Sequence, residues 1–339
     1  MRERILTRLR AAALIWVVCG GLTGTAFGSS MLIPVGQAVG IRITVEGVLV
    51  AGLSPVETAA GTVCPAETAG IRPGDVITAL NGQRVQGAAA LTDALETMTG
   101  DRAELTVLRG GKQLQMHVDT AVQDGRQRLG LWLRDGVTGI GSVTYIDPET
   151  GAFGALGHGV NDAESGALLP AAEGSLYRAE VVDVKRGGAG TPGELTGHVS
   201  AGDEIGRVEE NTGRGIFGVM ERRPDELREA VPVASPGEVV PGHATILTCV
   251  NGAEAREYDV EIARAGFAAG DGRDLTVHVT DPALLAATGG IVQGMSGSPI
   301  LQNGRLVGAV THVLTGDPTR GYGIYAQRML EAVQTTMAA

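Results

Sequence analysis

The sequence predicts a mainly β protein with at least two domains, and its length and composition carry this prediction. Aromatic residues make up only 3% of the 339 residues, whereas glycine occurs 52 times. We therefore expect cores of valine, isoleucine, leucine and alanine, built from short strands that tight glycine turns connect. A chain of this length can form two domains, each with its own core.

The first 28 residues have the three parts of an export signal. The basic start MRERILTRLR precedes the apolar run AAALIWVVCGGL, and small residues follow, with Ala26 and Gly28 marking a cleavage site. The segment Ala11–Phe27 approaches the length of a membrane span, so a cleaved signal and a retained anchor both remain open. In either case we expect the rest of the chain to be exported, with residues 29–37 as an extended linker.

Charge and cysteine content narrow the classes of function. The net charge of −11 argues against nucleic-acid binding, which needs a basic patch. Beyond the signal, the cysteines are Cys64 and Cys249, and neither has a neighbour at the spacing of zinc ligands. We expect two buried thiols and no metal site.

Residues 38–122 carry the signals of one small domain. The strand-like stretch GIRITVEGVLVAGL comes first, followed by the turn Gly70–Asp75, the strand VITAL and an NG hairpin dipeptide. The stretch AAALTDALETM has helical spacing, with Leu91, Leu95 and Met98 on one face. Two further strands flank a GG turn in AELTVLRGGKQLQMHVDTA.

Residues 128–339 predict a second, β-rich domain. Short strands follow one another with frequent turns, which is typical of a sandwich or a barrel. The turn Asp147–Gly151 joins the strands GSVTYI and AFGALGH into a hairpin. Helical signals are few: RRPDELREAV, DPALLAAT and YAQRMLEAVQTTM.

The stretch GMSGSP places Ser296 on a turn between two apolar strands. Serine becomes a strong nucleophile only when a base takes its proton, and the base is usually a histidine. Among six histidines, His158 stands out because Gly157 and Gly159 flank it and permit the close approach of another segment. In the glycine turn, the N–H groups of Gly294 and Ser296 can converge as an oxyanion hole.

The residues leave two candidates for the acid that would orient the histidine. Asp281 precedes Ser296 in DPALLAATGGIVQGMS, but an aspartate followed by proline is also the ordinary start of a short helix. Asp162 lies close to His158 in HGVND. His312, on the strand after the serine, either borders a specificity pocket or is a plain strand residue.

The element order of residues 38–122, and above all the stretch AGIRPGDVITALNGQRV, resembles the PDZ domains attached to bacterial proteases. The resemblance implies that a peptide C-terminus or an internal segment adds a strand to the sheet, and that backbone N–H groups of the preceding loop hold its carboxylate. The matching positions are Val39, Gly40, Ile41 and Arg42, where an arginine replaces the second glycine of the family pattern.

Three longer stretches resemble the SpoIVB peptidases, serine endopeptidases of spore-forming bacteria: LIPVGQAVGIRITVEGVLVAG, LGLWLRDGVTGIGSVTYIDPETGAFGALGHGVND and DPALLAATGGIVQGMSGSPILQNGRLVGAVTHVLTGDPTRGYGIY. The resemblance implies a trypsin-like double β-barrel after the PDZ domain. It makes His158 the general base, Asp281 its orienting acid and Ser296 the nucleophile, with Gly294 and Ser296 as the oxyanion hole. It implies neither a metal nor an organic cofactor.

The same resemblance implies a role in sporulation signalling. Such peptidases are exported into the space between the forespore and mother-cell membranes, where they cleave themselves and a membrane-bound regulator of an intramembrane metalloprotease. The released metalloprotease then processes a sigma-factor precursor. The alternative is a non-catalytic PDZ adaptor with a degenerate barrel, and the joint presence of His158 and Ser296 favours the peptidase.

Overall fold

The computed structural model describes residues 30–222, 227–266 and 272–337. The predicted signal or anchor in residues 1–28 lies outside the described residues, as do residues 223–226 of the predicted helix RRPDELREAV. Residues 227–230 of that stretch are described and are not helical. None of the described helices is long and apolar enough to cross a membrane.

The described elements are mostly strands. In chain order they are β1 (Met31–Pro34), β2 (Ala38–Leu53), β3 (Val56–Thr58), β4 (Gly61–Val63), β5 (Val76–Leu80), β6 (Gln83–Arg84), β7 (Arg102–Arg109), β8 (Lys112–Asp119), β9 (Ala121–Gln123), β10 (Arg126–Arg128), β11 (Leu131–Ile146), β12 (Ala152–Ala155), β13 (Ala171–Lys185), β14 (Glu194–Thr212), β15 (Gly215–Met220), β16 (Val231–Pro232), β17 (Gly242–Thr248), β18 (Arg256–Ala265), β19 (Leu275–Val279), β20 (Pro299–Gln302), β21 (Arg305–Val313) and β22 (Arg320–Tyr325). The helices are α1 (Pro65–Thr68), α2 (Ala88–Thr97), α3 (Pro282–Thr288) and α4 (Ala326–Met337), and Pro236–Glu238 form one 3-10 turn.

Six strands form a first closed barrel. It closes because β2 and β11 pair with each other, while β2 also pairs with β13 and β11 with β12. The ring runs β2, β13, β14, β15, β12, β11 and back to β2, with every pair antiparallel. Its interior is filled by apolar side chains from these strands: Ile43, Ile146, Phe153, Leu176 and Ile216. Alternate residues of each strand point inward, which is why the apolar positions recur with a period of two.

A second barrel is closed by β17, β18, β19, β22, β21 and β20 in that order. Ile246, Ile262, Val277, Ile300 and Val310 are fully buried in it. Two successive six-stranded antiparallel barrels are the predicted trypsin-like architecture, which is thereby confirmed. The predicted helices DPALLAAT and YAQRMLEAVQTTM are confirmed as α3 and α4.

The predicted PDZ-type domain is present as a small sheet covered by a helix. The second half of β2 pairs with β5, β5 with β7, and β7 with β8, while the start of β11 pairs with β2 on the other side. Helix α2 buries Leu91 and Leu95 against this sheet, as its spacing predicts. Both predicted hairpins, across the NG and GG turns, are formed.

Two strands run through both parts of the molecule, and this corrects the predicted boundaries. β2 and β11 each have 16 residues, and at about 3.3 Å per residue such a strand exceeds what one small sheet needs. The first half of β2 therefore belongs to the first barrel, and residues 131–134 belong to the PDZ-type sheet. The expected linker, residues 29–37, contains β1, which pairs with β11 and β16.

Candidate active site

A glycine brings His158 to the junction of the two barrels. The histidine follows β12 of the first barrel, and Gly157 before it has φ +71. A Cβ at Gly157 would lie 2.9 Å from the methyl groups of Thr311 and Ile324, which are in the second barrel. Only glycine lets the chain lie this close, so the sequence GHG places the imidazole beside the second barrel.

Ser296 lies on a turn that two further glycines shape. Gly294 has φ +97 and Gly297 has φ +94, a region that L side chains rarely adopt. A Cβ at Gly297 would overlap the carbonyl oxygen of Ser142 and lie 2.6 Å from the Leu156 nitrogen, both in the first barrel. The serine turn is therefore pressed against the first barrel, close to the chain that leads to the histidine.

The main-chain N–H groups of Gly294 and Ser296, the expected oxyanion donors, take their directions from the hydrogen bonds of the preceding carbonyls. The Gln293 carbonyl accepts from the Leu195 N–H at 2.9 Å, and the Met295 carbonyl accepts from the Ser298 N–H at 3.0 Å. Since N–H and C=O point in opposite directions across a trans peptide, the N–H groups of Gly294 and Ser296 face away from these partners. Within the described part of the chain, neither N–H has an acceptor.

Ser142 is a structural residue of the site that the sequence reasoning missed. Its N–H donates to the Ser296 carbonyl at 2.9 Å, its hydroxyl donates to the Gly294 carbonyl at 3.3 Å, and its carbonyl accepts from the Leu156 N–H at 3.2 Å. This buried serine thus ties the serine turn of the second barrel to the histidine-bearing chain of the first. Only the pairing of β11 reveals the connection, because Ser142 has no motif of its own.

The imidazole of His158 is held in one tautomer by its own chain. Nδ1 lies 2.8 Å from the carbonyl oxygen of Gly159, and because a carbonyl only accepts, the proton is on Nδ1 and Nε2 keeps its lone pair. Burial lowers the pKa of His158 below its ordinary value, and the Gly159 bond partly offsets this shift. The ring centroid of exposed His312 lies 5.1 Å away, with the two rings tilted by 38°.

His158 and Ser296 line the same cleft but are not hydrogen bonded to each other in the described structure. The Ser296 hydroxyl donates to the carbonyl of Thr311 at 2.8 Å. The cleft has a volume of about 870 Å³ and runs between the barrels, with Gly294 and His312 also in its wall. A side-chain rotation of Ser296 would turn its oxygen from Thr311 toward the cleft.

The two candidate acids have different surroundings, and neither is hydrogen bonded to His158 among the described residues. Asp281 caps helix α3: its Oδ1 accepts from the N–H groups of Ala283 and Leu284 at 2.8 and 3.0 Å. It is not part of the cleft wall, whereas buried Asp162 is. Oδ1 of Asp162 accepts from the N–H and hydroxyl of Ser165, both at 2.8 Å, and holds a turn.

The sequence model of the family described as SpoIVB peptidase S55 matches residues 125–330, more than half of the chain. The chain belongs to this family. A second model, described as PDZ domain, matches residues 58–109. The molecule is therefore a serine peptidase of the SpoIVB type with a PDZ-type domain, and the predicted family is confirmed. No curated protein sequence matches the chain.

Solved protease structures are similar to this SpoIVB-type peptidase at low sequence identity. The active form of the Rv3671c protease from M. tuberculosis has 14% identity, over 58% of this chain and 74% of that chain, with a TM-score of 0.34. The HtrA-type protease AlgW with decapeptide has 12% identity, over 64% of this chain and 58% of that chain, with a TM-score of 0.35. The double-barrel assignment rests instead on the strand pairings of the chain itself.

The predicted peptide-binding positions of the SpoIVB-type peptidase are contradicted by strand pairing. Residues 39–42 lie in the first half of β2, which β11 borders on one side and β13 on the other. Gly40, for example, is opposite both Ile140 and Tyr177. A peptide cannot add a strand where both edges are already paired, so Val39, Gly40, Ile41 and Arg42 form a barrel strand.

A free strand edge of the PDZ-type sheet lies at the start of β11 instead. Residues 131–134 pair with β2 on one side, and no other described strand pairs with them. A groove of about 170 Å³ separates this edge from Leu91, Thr92 and Leu95 of helix α2. The stretch LGLWL, which starts at Leu129, has the apolar–glycine–apolar order of a PDZ loop. This pattern is present in the sequence, but it lies after the stretch AGIRPGDVITALNGQRV and not before it.

The loop before this edge offers two backbone donors. The Leu129 carbonyl accepts from Ala66 N–H at 2.8 Å, and the Gly130 carbonyl accepts from Ser54 N–H at 3.0 Å. The N–H groups of Gly130 and Leu131 belong to the same two peptide units as these carbonyls. Across a trans peptide they therefore point the opposite way. Such a pair of N–H groups is the arrangement that captures a C-terminal carboxylate.

Proposed function

We propose that this SpoIVB-type peptidase is an exported endopeptidase of sporulation signalling in which Ser296 is the nucleophile and His158 the general base. One observation carries the proposal: His158, Gly294 and Ser296 line one cleft between two barrels, and the N–H groups of Gly294 and Ser296 have no acceptor among the described residues. This is the set of groups that acyl transfer needs, namely a nucleophile, a base with a free lone pair and donors for an oxyanion.

The acylation step follows from these positions. The Ser296 hydroxyl turns from the Thr311 carbonyl, and Nε2 of His158 takes its proton while Oγ bonds to the scissile carbonyl carbon. The carbonyl oxygen gains the negative charge and accepts from the N–H groups of Gly294 and Ser296. In known enzymes one such donor contributes about 3–4 kcal/mol of transition-state stabilisation.

The intermediate then collapses. Nε2–H of His158 donates its proton to the leaving amine as the C–N bond breaks, which leaves the acyl group on Ser296. A water molecule replaces the amine and gives its proton to Nε2 while its oxygen bonds to the acyl carbon. Release of the acid returns the proton to Ser296, so each cycle consumes one peptide bond and one water molecule and restores both side chains.

We assign the orientation of His158 to the carbonyl of Gly159. The bond of 2.8 Å fixes the ring and its Nδ1 proton, which is the task of the acid in other enzymes of this kind. A neutral carbonyl stabilises the imidazolium less than a carboxylate does. The base is therefore weaker than one that a carboxylate orients. Burial lowers the pKa of His158, and the bond to the Gly159 carbonyl offsets only part of this shift.

The proposed substrate is a regulatory protein, namely the membrane-bound regulator of an intramembrane metalloprotease, and the chain itself in its N-terminal region. Family membership supports this choice, and the open cleft between the barrels has room for an extended polypeptide. The proposed location is the space between the forespore and mother-cell membranes, because the signal-like first 28 residues direct export.

A second activity, capture of a peptide C-terminus, is favoured by the groove between α2 and the start of β11. Its free edge, its apolar wall and the donors of Gly130 and Leu131 have the chemistry of strand addition. Trp132, 65% exposed, lies at this groove and offers a large apolar surface to a ligand. We propose that this groove binds the partner protein or a segment of that partner. A chain that only binds, with a degenerate barrel, would have this activity alone.

The test is N-terminal sequencing of the chain recovered from producing cells, together with cleavage of the purified regulator. Wild type is expected to have an N-terminus shorter than that of Ser296→Ala and to cut the regulator, whereas Ser296→Ala retains the N-terminus left by export and does not cut the regulator. Ser298→Ala is the matched control, because this serine lies on the same turn but is fully buried. Normal cleavage by Ser296→Ala would overturn the assignment of the nucleophile.

A further inference from the structure

The glycine turn of the PDZ hallmark is in contact with a loop of the protease part. Gly74 has φ +88, and a Cβ there would overlap the Ser165 hydroxyl and lie 2.5 Å from its Cβ and 3.2 Å from Oδ1 of Asp162. Ser165 and Asp162 belong to the loop Asn161–Leu169, which follows His158. The absent side chain of Gly74 thus makes room for the histidine-bearing segment.

The turn itself is rigid. The carboxylate of Asp75, only 1% exposed, accepts two bonds from the Arg109 guanidinium, both at 2.6 Å, and one from the Arg72 N–H at 2.9 Å. Arg109 also donates to the Gly70 carbonyl at 2.8 Å. A bidentate bond to a buried carboxylate fixes both partners, so the turn can act as a fixed support.

A continuous series of contacts leads from the loop to the imidazole. Asn161 forms a bridge with Leu168, and Leu168 lies so close to Gly159 that a Cβ at Gly159 would overlap its side chain. The carbonyl of Gly159 in turn holds Nδ1 of His158. A shift of the loop would therefore reach the atom that orients the proposed base.

The loop is also held from the barrel side, which makes the contact with the turn consequential. The side-chain amide of Asn211 bonds to the N–H and the carbonyl of Val160 and to the carbonyl of Leu169, at 2.8–2.9 Å. Leu169 packs with Leu49 and Val76 of the PDZ-type part in one apolar cluster. Because both sides are packed, a displaced loop has little room to relax.

We propose that the turn Arg72–Asp75 is a positioning element for His158, acting through the loop Asn161–Leu169. The PDZ-type part then contributes to the reaction directly, apart from any peptide in its groove. This inference rests on the proposed role of His158 as general base. It predicts that a side chain at Gly74 displaces the loop and lowers the reactivity of Ser296 while leaving the fold intact.

The test compares Gly74→Ala with Gly82→Ala in the full chain. Gly82 also has a left-handed backbone, with φ +76, but nothing lies within 4 Å of its Cβ position. The two variants thus share the backbone strain and differ in contact with the loop. We expect the rate of Ser296 labelling by a fluorophosphonate to fall 10-fold or more in Gly74→Ala and less than threefold in Gly82→Ala. Equal rates in the two variants would overturn the inference.

A second-site variant separates positioning from general damage. Gly74→Ala combined with Ser165→Gly removes the overlapping atoms, so we expect the labelling rate to recover at least threefold. The Nδ1–H proton resonance of His158 should shift in Gly74→Ala and return in the double variant. Absence of both recovery and shift would overturn the inference. Absence of labelling in wild type would instead contradict the proposed function, and the resonance would still test the positioning.

Discussion

The hydroxyl of Ser296 donates to the main-chain carbonyl of Thr311 across 2.8 Å, on β21, the second strand after the serine turn. The proposed nucleophile therefore has a hydrogen-bond partner that accepts from its hydroxyl but cannot act as a base. Reaction requires rotation about one side-chain bond, which costs little between staggered positions. Catalytic hydrogen bonds are often absent without substrate and form in the complex. The structure thus describes a resting arrangement with all groups within one cleft.

Gly297→Ala should abolish peptidase activity. A methyl group there would overlap the Ser142 carbonyl, and the φ of +94 would add strain, so the serine turn must move. The measurement is kcat/KM on a cleaved peptide, with an expected loss of 100-fold or more. Gly304→Ala is the control, because Gly304 has φ +71 with nothing within 4 Å. Comparable activities of the two variants would contradict the described packing of the turn.

Asp281 should act as a helix cap. Loss of its acceptor in Asp281→Ala removes the bonds to Ala283 and Leu284 and should lower the free energy of unfolding by about 1 kcal/mol. Asp281→Asn retains an acceptor, so both stability and kcat should stay near wild type. Denaturant unfolding and peptide hydrolysis measure the two effects. If Asp281→Asn is folded but as inactive as Ser296→Ala, the carboxylate charge orients His158, as the family resemblance implies.

The midpoint of the acid limb in the pH profile of kcat/KM should lie below the ordinary histidine pKa of about 6.5. Burial lowers the pKa of His158, so the neutral, basic form persists to lower pH and activity is lost only below it. Facing the ring are His312 and, in the same cleft wall, the carboxylates of Asp162 and Glu164. The profile is measured with peptide between pH 4 and 8. A midpoint above the ordinary value would contradict the prediction.

Thr92→Arg should block peptide binding at the PDZ-type groove. Thr92 of α2 lines the groove, and a long charged side chain there would occupy it. Thr97→Arg on the same helix is the control, because Thr97 is exposed and outside the groove wall. Fluorescence anisotropy of a peptide with a free apolar C-terminus should show at least 10-fold weaker binding for Thr92→Arg. Equal affinities would place the peptide elsewhere.

Arg42→Ala tests the correction of the predicted binding loop. Arg42 lies in a barrel strand with its guanidinium 5.3 Å from the ring centre of Tyr177. Its removal should therefore leave the affinity for the same peptide within a factor of two. A loss as large as that of Thr92→Arg would restore residues 39–42 as the peptide site.

Much of the fold is readable in the sequence because local signals and packing agree. The glycine turns, the alternation of apolar residues and the helix spacing of Leu91 and Leu95 all predicted elements that exist. The pairing of distant segments is not local, so the sequence could not show that β2 and β11 serve both a barrel and the PDZ-type sheet. For that reason the sequence predicts the peptide edge at residues 39–42, although the free edge lies at the start of β11.

The candidate site divides in the same way. The stretches GHG and GMSGSP can be recognised in the sequence because glycine is required where two segments of the chain approach closely. Ser142 and the carbonyl of Gly159 cannot be recognised in this way, because a serine within a strand and a backbone group leave no pattern in the sequence. The choice between Asp281 and Asp162 depends on distances between remote segments, which no local spacing encodes.

The most direct test of the account is reaction of the purified chain with a fluorophosphonate, followed by mass mapping of the adduct. The account predicts one adduct, on Ser296, with labelling lost in Ser296→Ala and reduced in His158→Ala by roughly 10³-fold or more. Ser298→Ala should be labelled like wild type. An unlabelled wild-type chain, or an adduct on another residue, would contradict the assignment of Ser296 and His158 as nucleophile and base.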